Sequence, residues 1–293
     1  MNRHVIAIML IACAMAGMAS AQKDTSTVWK KSLDFGFAIA QTAYSDSWAG
    51  GEAGNASWVA NLNSIFEGPL GQMLISKSTF KFSFGQTHVQ DAETKSWKSP
   101  AKSTDLIDLE SILRYNSGWF VNPYVGLRFE SQFLDASVPA VKRYVNPFKL
   151  TESAGFTRRM FQRDKEFIDS RIGFAMREFF DRQVVYGSDS TTHTFKTKST
   201  TDGGLESVTD VSLKVHKNIL WTSKLSLYKA LSVSDKSAMF WPSVDINWEN
   251  IFSASVTKYI VVNLYTQWLY DKQIDTRGRF KETLSLGLTY KLL

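Results

Sequence analysis

After residue 28 the chain alternates apolar and polar residues at period two, again and again, and this limits its fold more than any other feature. Leu33, Phe35, Phe37 and Ile39 share one face, with Asp34, Gly36, Ala38 and Ala40 on the other. Phe80, Phe82 and Phe84 oppose Lys81, Ser83 and Gly85, and Ile107, Leu109, Leu113 and Tyr115 oppose Asp108, Glu110 and Arg114. The same pattern sets Val125, Leu127 and Phe129 against Gly126, Arg128 and Glu130, and Ile172, Phe174 and Met176 against Arg171, Gly173, Ala175 and Arg177. It returns in 210–215, 244–249 and 280–290. These runs predict twelve strands, near 29–42, 55–66, 72–87, 104–116, 119–133, 153–163, 167–181, 206–216, 219–231, 242–256, 260–271 and 279–292. Alternation is weakest in 55–66 and 153–163.

Strand length and loop sorting then select the architecture. Most of the strands exceed the ~9–11 residues that a tilted strand needs to cross a bilayer, whereas strands of soluble sheets average about five or six. Short connections at 67–71, 116–118, 163–166, 217–218 and 257–259 alternate with longer ones at 43–54, 88–103, 134–152, 182–205, 232–241 and 272–278. The expected fold is all-β, an antiparallel transmembrane β-barrel of about 12 strands, with short periplasmic turns and long extracellular loops. A soluble barrel or sandwich with the apolar face as its core is the alternative, and it leaves the sorting of the loops unexplained. Trp29, Trp119 and Trp221 fall near one set of strand ends and Trp58 and Trp268 near the other, as in two interfacial girdles. Trp248 is the exception, near mid-strand. A mean hydropathy of only −0.18 fits such a barrel, because half of each strand is polar.

The N-terminus predicts export. Arg3 and His4 precede an apolar run from 5 to 16, and Ala19-Ser20-Ala21 forms a small-residue cleavage site. Residues 1–21 are therefore read as a cleaved signal peptide and 22–293 as a single barrel domain in the outer membrane. The run is too short to span a membrane. Leu10-Ile11-Ala12-Cys13 also fits a lipobox, but the apolar residues that follow Cys13 are a poor tether for a lipid-anchored protein. Cleavage after Ala21 would remove Cys13, the only cysteine, and with it any disulfide or thiolate chemistry. It would also remove one of the 34 Lys+Arg and none of the 28 Asp+Glu, leaving a net charge of +5. That charge is spread along the chain, so no nucleic acid is expected as a partner. The expected partners are outer-membrane lipid, the barrel-assembly machinery during biogenesis, and a small polar solute.

Several patches carry a family resemblance. Ser45-Asp46-Ser47-Trp48-Ala49-Gly50-Gly51-Glu52 with Asn55-Ala56, Asp245-Ile246-Asn247-Trp248-Glu249, and Asn263-Leu264-Tyr265-Thr266-Gln267-Trp268-Leu269-Tyr270-Asp271 are three of them. The ending, Phe280-Lys281-Glu282 to Gly287-Leu288-Thr289-Tyr290-Lys291, is the fourth. Together they resemble a family of uncharacterised Bacteroidota-type outer-membrane proteins, the domain-of-unknown-function family three-zero-seven-eight. The resemblance implies a barrel and no assigned activity. The chain departs from it in ending on Leu292-Leu293, where an aromatic residue is the rule.

Enzyme chemistry finds little in these residues. Three histidines follow the signal peptide: His88 and His193 in predicted long loops, and His216 at a periplasmic strand end. None has a G-x-S-x-G context, and their scatter lacks metal-ligand spacing. The Gly-rich stretch 49–54 lacks the P-loop ending. No enzymatic activity and no cofactor are expected. What stands out is charge on the polar face. Asp108, Glu110, Arg114, Arg128, Glu130, Asp169, Arg171, Arg177, Asp210, Lys214, Lys224, Asp245 and Glu249 are expected to point into the lumen.

Such charges select solutes in a narrow pore or pair up and plug the barrel, and buried ions need partners in either case. Pairing is expected between adjoining strands, Glu110 or Arg114 with Arg128 or Glu130. The leading expectation is a narrow pore or transporter for small polar solutes with a charge-lined lumen. The alternative is a structural or adhesion barrel with a plugged lumen, acting through its extracellular loops; a membrane-embedded hydrolase comes third. Loops 134–152 and 182–205 are expected either to fold into the lumen or to bind partners.

Overall fold

A computed structural model describes residues 29–44, 53–138, 141–164, 166–187, 193–235, 241–272 and 275–291. The segment read as a signal peptide, the motif 45–52 and the final Leu292-Leu293 lie outside the described residues. The strands are β1 (Lys30–Thr42), β2 (Asn55–Leu70), β3 (Leu74–Val89), β4 (Ala101–Tyr115), β5 (Asn122–Ser131), β6 (Leu134–Asp135), β7 (Arg143–Tyr144), β8 (Phe148–Arg163), β9 (Glu166–Tyr186), β10 (His193–His216), β11 (Ile219–Val233), β12 (Val244–Ser255), β13 (Ile260–Tyr270) and β14 (Arg279–Lys291). All but β6 and β7 pair antiparallel in one closed ring. Each barrel strand lies beside its neighbours in sequence, β5 pairs with β8, and β14 returns to β1. This is the twelve-strand transmembrane barrel that the alternation predicts.

Register carries the two faces round the ring, because directly opposed residues point to the same side. Phe37, Ala60 and Phe84 form one outward row, and Asp34, Asn63, Lys81, Asp108 and Glu130 form one inward row. The outward apolar side chains are uncovered: Phe174 is 68% exposed and Leu284 71%. A wall of this kind is unfavourable in water and at ease in hydrocarbon, where closing the ring also satisfies every ladder hydrogen bond. Tight turns form the short connections, with Gly71 and Gly118 at positive φ of 78° and 71°.

Trp29, Trp58 and Trp221 lie near strand ends, as the sequence predicts. Trp29 packs over Gly68, Trp221 stacks on Phe252, and Trp58 sits between Phe37 and Phe84. Trp248, the mid-strand exception, is on the outer face and donates its indole N–H to Ser223 Oγ at 3.0 Å.

Three predicted loops are corrected. Most of 182–205 is strand: β9 and β10 run on as a ribbon, with Tyr186 opposite His193. On β10 the run Lys196-Thr197-Lys198-Ser199-Thr200 puts polar side chains on both faces, so period two leaves no trace there. His193 thus opens β10 rather than lying in a loop, and His88 lies within β3 opposite Ala56. The loop at 88–103 shortens, because β3 continues to Val89 and β4 starts at Ala101. Within 134–152, β6 and β7 form a small hairpin, and β8 begins at Phe148.

That hairpin segment is fastened to the long-loop rim. The Asp105 carboxylate accepts the N–H groups of Phe133 and Leu134 at 2.6 and 2.9 Å, and Lys102 Nζ donates to Gln132 and to the Leu134 carbonyl. Arg143, only 5% exposed, pairs with Asp135 at 2.6 Å and donates to the Arg182 carbonyl on β9. Asn146 Nδ2 donates to Asp135 and Asp181. Burial pushes the Asp135 carboxyl up. The backbone N–H of Ser137, the Asn146 amide, the Ser137 hydroxyl and the Arg143 guanidinium outweigh that and hold it below the usual carboxylate range.

Two outcomes follow from this frame. Gly155 and Gly173 oppose each other, and a Cβ on either would run into the other strand's backbone. Gly173→Val is expected to cost about 1–3 kcal/mol by overpacking, read as a lower urea midpoint for loss of the heat-modifiable folded band. An unchanged midpoint would show that the two strands separate freely. Because the pKa of Asp135 is depressed, its contribution is present above its unfolded value near about 4 and is lost as pH falls further. Proteolysis within 132–147 should therefore rise only below about pH 4, and Asp135→Asn should show the raised rate already at pH 7.

Candidate functional site

Twelve polar faces converge inside the ring, and the charges of both signs meet there across the lumen rather than only along its wall. Glu110 on β4 is the hub. Its Oε1 accepts from Arg171 on β9 at 2.5 Å, and its Oε2 accepts from Lys224 on β11 at 2.9 Å. Strands β5, β8, β9 and β10 separate β4 from β11 in the ring, so the second bond spans the interior. Arg171 also reaches Glu206 at 3.4 Å.

A second bridge joins Lys81 on β3 to Glu249 on β12 at 3.8 Å, again between opposite walls. A third takes Arg159 on β8 to Glu67 on β2 at 3.1 Å, while Arg159 also holds Asp169 through two bonds of 2.7 and 2.8 Å. Arg114 approaches the same Glu67 at 3.9 Å.

Other pairs line the wall. Arg128 makes two bonds to Asp108, at 2.8 and 3.0 Å, and lies 3.3 Å from Glu130, which in turn takes Lys149 at 2.6 Å. Arg177 is bidentate to Asp202 at 2.8 and 3.0 Å, donates to Asp245 at 3.0 Å, and stacks 3.4 Å over the Tyr228 ring. The Tyr228 hydroxyl donates to Asp202 as well. Beneath the hub a cavity of about 40 Å³ remains, lined by Glu67, Lys77, Arg114, Arg159, Asp169 and Arg171 among others. That is room for a water or two.

The structure thus brings Asp108, Glu110, Arg114, Arg128, Glu130, Asp169, Arg171, Arg177, Asp245 and Glu249 into one paired interior, with Lys224 at its centre and Asp210 opposite Lys224 in register. Lys214 is not among them. It is exposed two residues from the end of β10, where its backbone N–H donates to Glu166. Arg128 does pair with the adjoining strand, but through Asp108 rather than Glu110, and Glu110 binds across the lumen instead.

The sequence reading missed six members of the network. Glu67 fell in a predicted turn, Asp202 in a predicted loop, and Glu206 and Lys149 at or beyond predicted strand boundaries. Arg159 follows Arg158 just before a bulge that breaks the alternation. Lys81 did carry a signal, since it sits between Phe80 and Phe82.

The histidines stand apart from this interior, His88 near the end of β3 and His193 and His216 at the two ends of β10. His193 packs edge-on against Phe195. Among the described residues no group of three or more His, Cys, Asp or Glu side chains is arranged to hold a metal ion.

Residues 39–136 match the family described as a protein of unknown function (DUF3078), about a third of the chain and the same family that the sequence patches resemble. No curated protein matches. Among solved structures the chain is similar to an outer membrane channel from Pseudomonas putida F1, at 13% identity and a TM-score of 0.40, over 92% of this chain and 98% of that one. It is also similar to the translocator domain of the autotransporter NalP from Neisseria meningitidis, at 12% identity and a TM-score of 0.40, over 98% and 96%.

The hub has a measurable signature. Removing one partner of a buried ion pair costs far more than replacing the pair with apolar groups. Glu110→Ala leaves Lys224 without its carboxylate and Arg171 with Glu206 alone, and is expected to cost about 3–5 kcal/mol in urea unfolding of the barrel. Glu110→Met with Lys224→Met should recover much of that. A single variant no worse than the double would remove Glu110 from the centre of the network.

Proposed function

We propose that the protein is an outer-membrane barrel whose lumen is a narrow passage for small polar solutes, held shut at mid-height by ion pairs between opposite walls. The observation that carries this reading is the Glu110–Lys224 bridge across the interior, seconded by Lys81–Glu249. Charge is a poor filler if stability alone is served, because well-packed apolar side chains do as well or better. Ion pairs have another property: they exchange partners without unpacking a core. A passing ion or a dissolved solute of either sign finds a charged group to replace the one it displaces. Bridges that join opposite walls narrow the space between them, so water and small ions are the class that this reading favours.

A second reading keeps the lumen permanently plugged and places the activity on the outside. It is favoured by the ribbon of β9 and β10, which runs past Phe148–Phe180, the last pair between β8 and β9.

Single-channel recording in planar bilayers separates the two. The wild-type barrel is expected to conduct rarely and in small steps. Lys81→Ala with Lys224→Ala opens both bridges while Glu110 keeps Arg171, and it should conduct steadily with a preference for cations. A folded double variant that stays silent would overturn the pore and favour the ribbon.

A further inference from the structure

The outer wall carries a feature that lipid does not explain. A shallow, open depression of about 680 Å³ crosses β5, β8, β9, β10 and β11 on the outward face, between Val125 and Leu127 at one end and Leu231 at the other, with Phe174 and Met176 standing within it. Its floor is small: Ala154 points outward there, and a Cβ on Gly203 would meet nothing within 4 Å. Glu152 also points outward, exposed, in register between Leu127 and Met176. Among the described residues it has no hydrogen-bond or ion-pair partner. An acyl chain would fill the recess but offers nothing to a carboxylate.

The missing cation is on the same wall. Lys229 on β11 faces outward at the other side of the recess, exposed, beside Leu205 and Val244, and among the described residues it too lacks an ion-pair partner. Three strand spacings, about 14 Å, keep it from Glu152 of its own chain.

Their heights nevertheless agree. Lys229 lies in one row with Leu205, Phe174 and Ala154, and Glu152 stands two residues above Ala154 on β8. With a strand tilt near 40°, crossing three strands raises Lys229 by about 9 Å and two residues raise Glu152 by about 5 Å. The remaining difference is within the reach of a lysine side chain.

We propose that this recess is where two copies of the chain pair side by side in the membrane. A two-fold axis along the membrane normal, passing through the recess, sets Glu152 of each copy against Lys229 of the other and forms both ion pairs at once. Phe174 and Met176 of each copy enter the space over Ala154 and Gly203 of the other. A second copy supplies the missing charge of the right sign at the right level twice over, and it draws lipid out of the recess. Glu178, outward on the same strand as Met176, adds to the acidic half of the patch.

The test uses the full barrel in liposomes, with folding checked by heat modifiability. Mature protein lacking Cys13 has no cysteine of its own, so Glu152→Cys with Lys229→Cys in one chain reports the contact directly. Mild oxidation is expected to give a disulfide-linked dimer. Glu152→Cys alone should stay monomeric, as should Leu286→Cys on the opposite wall. Without cysteines, Glu152→Lys should weaken dimerisation by about tenfold or more, followed by subunit counting in dilute vesicles, and Lys229→Glu added to it should restore the wild-type level. Monomer throughout, equal linking by the single variants, or a dimer that the reversed pair does not restore would each overturn the interface.

Discussion

Everything in this molecule depends on closing the ring of backbone hydrogen bonds. In hydrocarbon an unpaired peptide group costs several kcal/mol, and a sheet with two free edges leaves a whole row of them. The closure here is the seam between β1 and β14, where Asp34 to Ala38 meet Lys291 to Gly287. It is shorter than the β1–β2 ladder, which pairs every residue from Lys30 to Thr42. Once the ring is closed the rest is imposed. Outward positions must be apolar, inward positions are freed from that demand, and charge has only the lumen or the rims in which to stay.

The lumen then has its own constraint. Acids and bases enclosed by twelve strands are far from bulk water, so each needs a counter-charge within reach. Wall pairs such as Arg128–Asp108 meet the need locally. Glu110 meets it by drawing on β9 and β11 together. Its two oxygens therefore tie the far walls to β4, and the interior is fixed by charge where a soluble protein would use a core. The rim repeats the solution on a smaller scale, with Arg143 and Asn146 gathering Asp135 and Asp181 around one loop.

How far this was legible in the sequence follows from what each residue must do. Phe80, Phe82 and Phe84 meet the apolar surroundings, so their period shows plainly, and with it the strand, its faces and the twelve-strand ring. Thr194, Lys196, Thr197 and Lys198 are exposed on β10 and obey no apolar period, and the strand there is held mainly by its ladder with β9. On β8 the period was blurred for two reasons: Glu152 stands on the outer face, and a register shift between Arg159 and Phe161 moves the phase. The inward charges could be named from the alternation. Their partners across the lumen could not, because which residues share a level depends on the stagger of all twelve strands and is a property of the closed ring.

The ribbon of β9 and β10 has one more implication. Where it rises past its neighbours, the β10 edge from His193 to Thr200 has no second ladder partner among the described residues, and such an edge is where strands of separate molecules join and crowded proteins aggregate. Lys196 and Lys198 lie along that stretch, exposed, and Lys198 has only a distant ion pair with Asp235 at 3.9 Å. Two such edges brought together would set these ammonium groups against their counterparts. The chain can therefore hold a long strand above the membrane at high surface density without neighbouring barrels zipping into one another.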